Sequence, residues 1–124
     1  MSDYDTGMQT RREVLGDEHV DRATASAGDF GTPFQEFITR YAWGGPWSRT
    51  GLDRRTRSVI TLTALVSLRA ENEIGMHVRA ALRNGLTPEE ISEIFLHTAV
   101  YAGVPAANSA FAIARRVLDE EGAL

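Results

Sequence analysis

Residues 52–85 constrain the fold more than any other stretch of the sequence, because they combine a basic start with a long apolar run. Within that run the apolar side chains cover nearly the whole circumference of a helix: Val59, Ile60, Leu62, Ala64, Leu65, Val66 and Leu68. A helix that is apolar all round must be buried on all sides. In a chain of 124 residues, either the rest of the domain or a second subunit must cover it. The run therefore favours a homo-oligomer.

The capping residues and apolar patterns in the rest of the sequence predict further helices and no strands. Thr87-Pro88-Glu89-Glu90 has the spacing of a capping box with proline at the first helical position. No segment shows sustained alternation of apolar and polar residues or a hairpin dipeptide. We therefore predict an all-α protein of about six helices. Residues 1–10 are expected to form a flexible tail, and residues 11–124 a single domain.

Upstream of the central run, the sequence predicts three helical segments separated by glycines. They cover residues 11–16, 17–27 and 33–43, with a turn at Gly28, Gly31 and Pro33. In the third segment Phe34 and Phe37 recur at helical spacing, which predicts core packing.

The composition excludes several classes of function. A net charge of −4 leaves no basic surface for nucleic acid. No run reaches the roughly 18 apolar residues of a membrane span, and Asp3 and Asp5 do not fit a signal peptide, so a cytoplasmic protein is expected. The absence of cysteine excludes disulfides and thiol chemistry. The three histidines are scattered and show no HxxxH or HxH spacing, so we predict no metal site. The alternative that the sequence leaves open is a carboxylate–histidine site formed by Glu73 and His77.

Two sets of side chains within residues 52–85 suggest chemistry. Arg54, Arg55 and Arg57 lie within four residues, and guanidinium groups bind carboxylates through paired hydrogen bonds. Arg54 and Arg57 share a helical face, whereas Arg55 diverges. Glu73 and His77 are one turn apart and lie on one face. Together they predict a site that binds an anionic small molecule and supplies an imidazole.

Outside this stretch, several residues are open to more than one interpretation. Trp43 and Trp47 flank a turn, where their rings either fill the core or cover a pocket. Arg40 is a further candidate for binding a carboxylate. His19 is a secondary candidate, in a short segment that can cover a pocket. His97 lies in an apolar helix and is interpreted as a packed core histidine.

The sequence from Leu52 to Ala114 resembles the carboxymuconolactone decarboxylase family, within the alkyl hydroperoxidase D-like superfamily. The quoted stretch is LDRRTRSVITLTALVSLRAENEIGMHVRAALRNGLTPEEISEIFLHTAVYAGVPAANSAFAIA. The upstream stretches RREVLGDEHVDRA and FQEFITRYAWGGPWSR extend the resemblance over about residues 11–120. The peroxidase branch of the superfamily carries a CxxCxxxH motif and an upstream glutamate. Aligned on His77, those three positions hold Ala70, Glu73 and Ser58 here, which excludes peroxidase chemistry.

The resemblance implies an all-helical homo-oligomer, commonly a hexamer, that uses no metal or organic cofactor. It implies decarboxylation of 4-carboxymuconolactone, a small lactone with two carboxylates, to the enol-lactone of 3-oxoadipate in protocatechuate degradation. The substrate is its own electron sink, which fits the absence of a cofactor motif. For this reaction we predict carboxylate binding by Arg57 and Arg54, with Arg40 as a further candidate, and Trp47 and His19 as secondary candidates beside the substrate. His77, with Glu73, would transfer the proton or stabilise the oxyanion.

Two other hypotheses fit the same residues. One keeps the fold and changes the reaction to another small unsaturated acid or lactone, and the other is a non-enzymatic helical oligomer. The proposed site also requires a particular geometry. Arg57 and Glu73 are sixteen residues apart, or about 24 Å along an unbroken helix. Their convergence needs a break near residues 70–72 with folding back of the second segment, or a neighbouring subunit.

Overall fold

The protein is all-helical in the computed structural model, which describes residues 2–124. Six α-helices and no strand occur in this range, so the predicted all-α class and helix number are confirmed. The helices are α1 (Asp3–Leu15), α2 (Asp17–Ile38), α3 (Arg54–Ser67), α4 (Glu71–Arg83), α5 (Pro88–Ala102) and α6 (Val104–Glu120). A π-helical turn (Thr39–Trp43) and a short 3-10 turn (Pro46–Ser48) follow α2.

The helices form two compact units that are described separately below. The first unit ends at Asp53 and contains α1, α2 and the two short turns, and the second runs from Arg54 to Leu124. The single domain predicted for residues 11–124 stays a prediction. None of the helices described from residue 2 onward is long and apolar enough to cross a membrane.

Helix α1 begins at Asp3, within the segment of residues 1–10 that was predicted to be a flexible tail. The Ser2 hydroxyl accepts a hydrogen bond from the Asp5 amide at 3.1 Å, which caps the helix. Asp3 and Asp5 lie in the first turn, where a negative charge favours the helix dipole. The structure therefore differs from the expectation of a tail over residues 1–10 from residue 3 onward. Met1 lies outside the described residues.

The first unit depends on a close approach between α1 and the π-helical turn. Gly7 is buried, and a Cβ at this position would overlap the carbonyl oxygen of Thr39. Helix α2 is broken at Gly28, whose φ of 57° favours glycine. The predicted break is therefore present at Gly28, but the chain resumes its helix at once and continues through Pro33.

The aromatic residues of the first unit are only partly in its core. Trp43 is buried and stacks on Trp47, with ring centroids 5.1 Å apart. Phe34 and Phe37 remain 61% and 56% exposed, and Phe37 stacks on exposed Tyr41. The prediction that both phenylalanines pack in the core is wrong for this chain. Helical spacing identifies an apolar face, but it does not say that the same chain covers that face.

The second unit is built around one hydrophobic cluster to which all four of its helices contribute. Its largest fully buried side chains are Leu62 and Val66 of α3, Ile74 and Val78 of α4, and Ile91 and Phe95 of α5. On α6, small residues such as Ala106, Ala110 and Ala114 are buried against them. Ile60 of α3 and Leu68, in the turn directly after α3, are exposed. The chain therefore covers one side of the all-apolar helix and leaves the other open.

The break between the basic start and the Glu73/His77 pair is present at residues 68–70. Helix α3 ends at Ser67, Arg69 takes a left-handed conformation with φ of 58°, and α4 begins at Glu71. Helix α4 packs back against α3. The amide of Ala70 donates to the carbonyl of Leu65 at 2.8 Å, which closes the turn. The second segment thus folds back, one of the arrangements that the site geometry required.

The predicted capping box is confirmed at the start of α5. The Glu90 amide donates to the Thr87 hydroxyl at 3.2 Å, and the Glu90 carboxylate accepts from the Thr87 amide at 3.0 Å. Both exchanges satisfy amide donors that a helix start leaves open.

Candidate functional site

The arginines at the start of α3 have two different kinds of surroundings. Arg54 and Arg57 are half-buried, whereas Arg55 is exposed and forms an ion pair with Glu90 of α5. The divergence of Arg55 predicted from helical spacing is therefore present. The guanidinium Nε of Arg57 is buried. Arg57 therefore has a buried nitrogen and lies on the same face of α3 as Arg54.

A polar contact fixes the start of α3 against the end of α4. The side-chain amide of Asn84 donates to the hydroxyl of Ser58 at 2.9 Å. Ser58 is buried, and it follows Arg57 directly. Buried hydroxyls are usually hydrogen-bonded, so this contact both satisfies Ser58 and sets the register of the two helices. Neither Ser58 nor Asn84 was a candidate from the sequence.

His77 and Glu73 share α4 but have different surroundings. His77 is only 8% exposed, and its Nδ1 is a buried atom. Glu73 lies in the first turn of α4 and is exposed. The four-residue spacing predicted a shared face, and burial changes along that face because the first turn of α4 adjoins the exposed turn that connects α3 to α4.

The Ser58–Asn84 contact is a reference point from which the distances of the candidate residues along α3 and α4 follow. His77 precedes Asn84 by seven residues, or about 10 Å along α4, and Glu73 precedes it by eleven residues, or about 16 Å. Arg57 lies beside Ser58, at the Asn84 end. Folding back therefore shortens the separation of Arg57 and Glu73 from about 24 Å to about 16 Å. His77 lies nearer to Arg57 than Glu73 does.

The other predicted binding residues belong to the first unit. Arg40 is exposed, lies in the π-helical turn, and places its guanidinium 5.4 Å from the ring centroid of Tyr4. Trp47 stacks on Trp43 and is partly buried. His19 is partly buried near the start of α2. Their roles in substrate binding stay predictions.

His97 is not a core histidine. It is exposed on α5, and its ring lies 5.5 Å from that of Tyr101, one turn later. The interpretation of His97 as packed in the core is wrong. Apolar residues surround it in sequence, but the buried side of α5 carries Ile91, Phe95 and Thr98.

The largest described cavity, about 780 Å³, lies between α5 and α6 and contains none of the predicted site residues. Its charged lining residues are Glu89, Glu93 and Arg115. Two carboxylates against one guanidinium give a poor environment for a substrate with two negative charges. A second cavity, of about 360 Å³, is lined by Arg55 together with Glu89, Glu90 and Glu93, and the same argument applies. Volume alone therefore does not identify the substrate site.

Between residues 2 and 124, no group of three or more histidine, aspartate or glutamate side chains has the arrangement of a metal site.

Arg11 is a buried charged residue that the sequence analysis did not single out. It is 3% exposed and contacts Thr39 and Gln35. A signal was present, because Arg11 precedes the buried Val14 and Leu15 by three and four residues. That spacing places its side chain on the buried face of α1.

Comparison with known proteins decides the family. The model of the carboxymuconolactone decarboxylase family matches residues 32–116. The chain belongs to the carboxymuconolactone decarboxylase family. The resemblance recognised in the sequence is thereby confirmed.

Two relatives align with nearly the whole chain. The chain is 46% identical over 119 residues to a 4-carboxymuconolactone decarboxylase of Acinetobacter baylyi, an alignment that covers 96% of this chain and 89% of the relative. It is 42% identical over 117 residues to a nitrosuccinic acid decarboxylase of Metarhizium robertsii, covering 94% of this chain and 82% of the relative. A 4-carboxymuconolactone decarboxylase of Pseudomonas putida is 61% identical over 41 residues, which cover 33% of this chain and 85% of the relative.

Proposed function

We propose that this protein decarboxylates 4-carboxymuconolactone to the enol-lactone of 3-oxoadipate, a step of protocatechuate degradation. The observation that carries the proposal is the 46% identity with the 4-carboxymuconolactone decarboxylase of Acinetobacter baylyi over 96% of this chain. A buried imidazole and a half-buried arginine on two packed helices, α4 and α3, are compatible with this chemistry.

The reaction balances without an external oxidant or reductant. The bond between the ring carbon and its carboxylate breaks, and CO₂ leaves. The electron pair moves through the ring double bond to the lactone carbonyl, which gives a furan oxide. A proton is then added to the carbon next to that carbonyl, and the second carboxylate stays in the product. The enzyme has to hold this carboxylate, stabilise the oxyanion and deliver one proton.

In this proposal Arg57, with Arg54, holds the carboxylate that survives. Guanidinium groups suit this task because they offer two parallel N–H donors. His77, about 10 Å along α4 from the Asn84 contact, delivers the proton or stabilises the oxyanion. Glu73, one turn before His77 on α4, orients the imidazole. Arg40, Trp47 and His19 are secondary candidates for substrate contact.

Nitrosuccinic acid is a second candidate substrate, because the relative named for its decarboxylation is 42% identical over 94% of this chain. The two compounds share their chemistry. Each has two carboxylates and one electron-withdrawing group that accepts the electron pair left by CO₂. The same arginines and proton donor would serve either compound, so the choice depends on the shape of the pocket.

The deciding experiment supplies each compound to the purified protein and measures CO₂ release together with the product. We expect 4-carboxymuconolactone to give one equivalent each of CO₂ and enol-lactone, with kcat/KM in the ordinary enzymatic range of about 10⁴–10⁸ M⁻¹s⁻¹. A higher kcat/KM for nitrosuccinic acid would replace the proposed substrate. Turnover of neither compound above the uncatalysed rate would contradict the proposal.

The proposal includes a cytoplasmic homo-oligomer, with six copies as the expected number. Its support is the set of large apolar side chains that the chain leaves exposed on α5 and at the start of α6, namely Leu96, Val100, Tyr101 and Val104. Such faces mark protein–protein contacts more often than they mark free surface.

A further inference from the structure

Arg11 is a buried charge with only neutral hydrogen-bond partners. Its Nη1 donates to the hydroxyl of Thr39 at 3.2 Å, and its Nη2 donates to the side-chain carbonyl of Gln35 at 2.8 Å. Its Nε is buried and makes no hydrogen bond to a described atom. Arg11 forms no ion pair with any carboxylate among the described residues, although its neighbour Arg12 pairs with both Asp17 and Asp21.

The charge of Arg11 persists at neutral pH. Burial lowers the pKa of Arg11, Tyr4 opposes this effect, and Arg12 adds to it. An arginine guanidinium nevertheless stays protonated at neutral pH. A charge buried without a partner is costly, so an anion beside Arg11 would stabilise the first unit.

The side chain lines a cavity that has room for such an anion. The cavity has a volume of about 60 Å³, and water occupies about 30 Å³ per molecule in the liquid. It therefore holds a chloride ion or a carboxylate as small as formate, but not a dicarboxylate lactone. Glu36 is the one charged residue of its lining besides Arg11, and the other lining residues are polar or apolar. The lining residues are Tyr4, Met8, Arg11, Thr24, Ala27, Thr32, Gln35, Glu36 and Thr39.

The local hydrogen bonds prepare the guanidinium for an anion. The Thr39 hydroxyl donates to the carbonyl of Gln35 at 2.7 Å, so its oxygen is directed to accept from Arg11. Two of the three nitrogens are thereby held in place. The buried Nε, on a residue that lines the cavity, supplies the remaining donor. A fixed donor costs little further conformational entropy when it binds a ligand.

We propose that the cavity beside Arg11 is a binding site for one small monovalent anion, a halide or a formate-sized carboxylate, that stabilises the first unit. The site is independent of the proposed decarboxylation, because its volume excludes the substrate. Glu36 is exposed and repels an anion at the cavity from its edge, so neutralising Glu36 strengthens binding.

The test replaces sodium gluconate by sodium chloride at constant ionic strength and measures two quantities. The first is the ³⁵Cl NMR line width, and the second is the midpoint of thermal unfolding. For the unaltered protein we expect a broadened chloride line that saturates, and a midpoint that rises with the logarithm of the chloride concentration above Kd. Formate should produce the same rise, and succinate, which is too large, should not.

Two variants and a control assign the effect to Arg11. Arg11→Met removes the charge at similar length and should abolish both responses. Arg22→Met removes an exposed arginine that pairs with Glu18, and it should keep both. Glu36→Gln leaves Arg11 in place and should lower Kd about two- to fivefold, an exposed charge being partly screened. This variant keeps the test valid if Arg11→Met does not fold.

Three results would overturn the proposal. The first is an equal chloride response in the unaltered protein and Arg11→Met, which would mean adventitious binding only. The second is an unchanged Kd in Glu36→Gln. The third is a stronger effect of succinate than of formate, which would show that the cavity opens to larger dicarboxylates.

Discussion

At the scale of single residues, His77 combines two properties that suit a proton donor. It is nearly buried, and it is fixed on a helix that packs against α3. His97 has none of this protection, because it is exposed on the outer side of α5. The two histidines therefore form a matched pair for mutation.

Replacement of His77 by glutamine should lower kcat for the lactone about 10²- to 10⁴-fold, because general acid catalysis contributes that range. KM should change little, since the arginines bind the carboxylate. Steady-state kinetics with a circular dichroism check of folding would measure this. His97→Gln should leave kcat unchanged. A folded His77→Gln variant with kcat within about twofold of the original would remove His77 from the proposed site.

Arg57 and Arg55 form a second matched pair, two residues apart on the same turn. Arg57→Ala should raise KM about 10- to 150-fold, because a hydrogen bond to a charged group contributes about 1.5–3 kcal/mol. Arg55→Ala should leave KM unchanged, since Arg55 is engaged with Glu90. The opposite ranking of the two variants in initial-rate measurements would move the carboxylate site to the α3–α5 side.

Burial explains why the sequence predicted these residues only in part. The spacing of Arg54, Arg55 and Arg57 was enough to separate Arg55 from the other two. The spacing of Glu73 and His77 did not show that one is exposed and the other buried, because burial depends on what packs against each turn. Arg11 was missed for a related reason: charged residues are almost never buried without a partner, so an arginine is expected at the surface.

At the scale of elements, the turn between α3 and α4 decides whether the candidate residues come near each other. Arg69 is the residue that reverses the chain, and it has φ of 58°, a region that side chains with a Cβ disfavour. Its ion pair with Glu71 is exposed, with 3.8 Å between the charged atoms, and contributes little.

Substitutions at position 69 should therefore rank by backbone preference. Arg69→Gly should be more stable to unfolding than Arg69→Ala by about 1 kcal/mol, because only glycine adopts a positive φ without strain. Urea unfolding of both variants, compared through the free energy of unfolding, measures this difference. Equal stabilities, or a more stable alanine variant, would show that the left-handed turn carries no strain.

At the scale of the whole molecule, the exposed apolar side chains are the feature that one chain does not explain. They include Ile60 and Leu68 on the helix that the sequence predicted to be buried on all sides, and Leu96 and Val100 on α5. Association with further copies would bury them, as the prediction of a homo-oligomer requires.

Light scattering after size-exclusion chromatography should give a mass that is a multiple of 13.6 kDa, with six copies expected. The double variant Leu96→Glu/Val100→Glu places two charges on the exposed face of α5 and should lower that mass. Ser92→Glu, at an exposed polar position of the same helix, should not. A monomeric mass for the unaltered protein would contradict the predicted assembly.

The sequence by itself determined the helical class, the capping box at Thr87, the break at Gly28 and the family. These follow from short-range patterns, namely helical periodicity, capping spacing and backbone preference, which neighbouring residues carry. Only the tertiary structure decided which polar residues are buried. The pairing of Ser58 with Asn84, the protection of His77 and the isolation of Arg11 all depend on contacts between residues far apart in the chain. Such contacts arise when helices pack, and no local pattern specifies them.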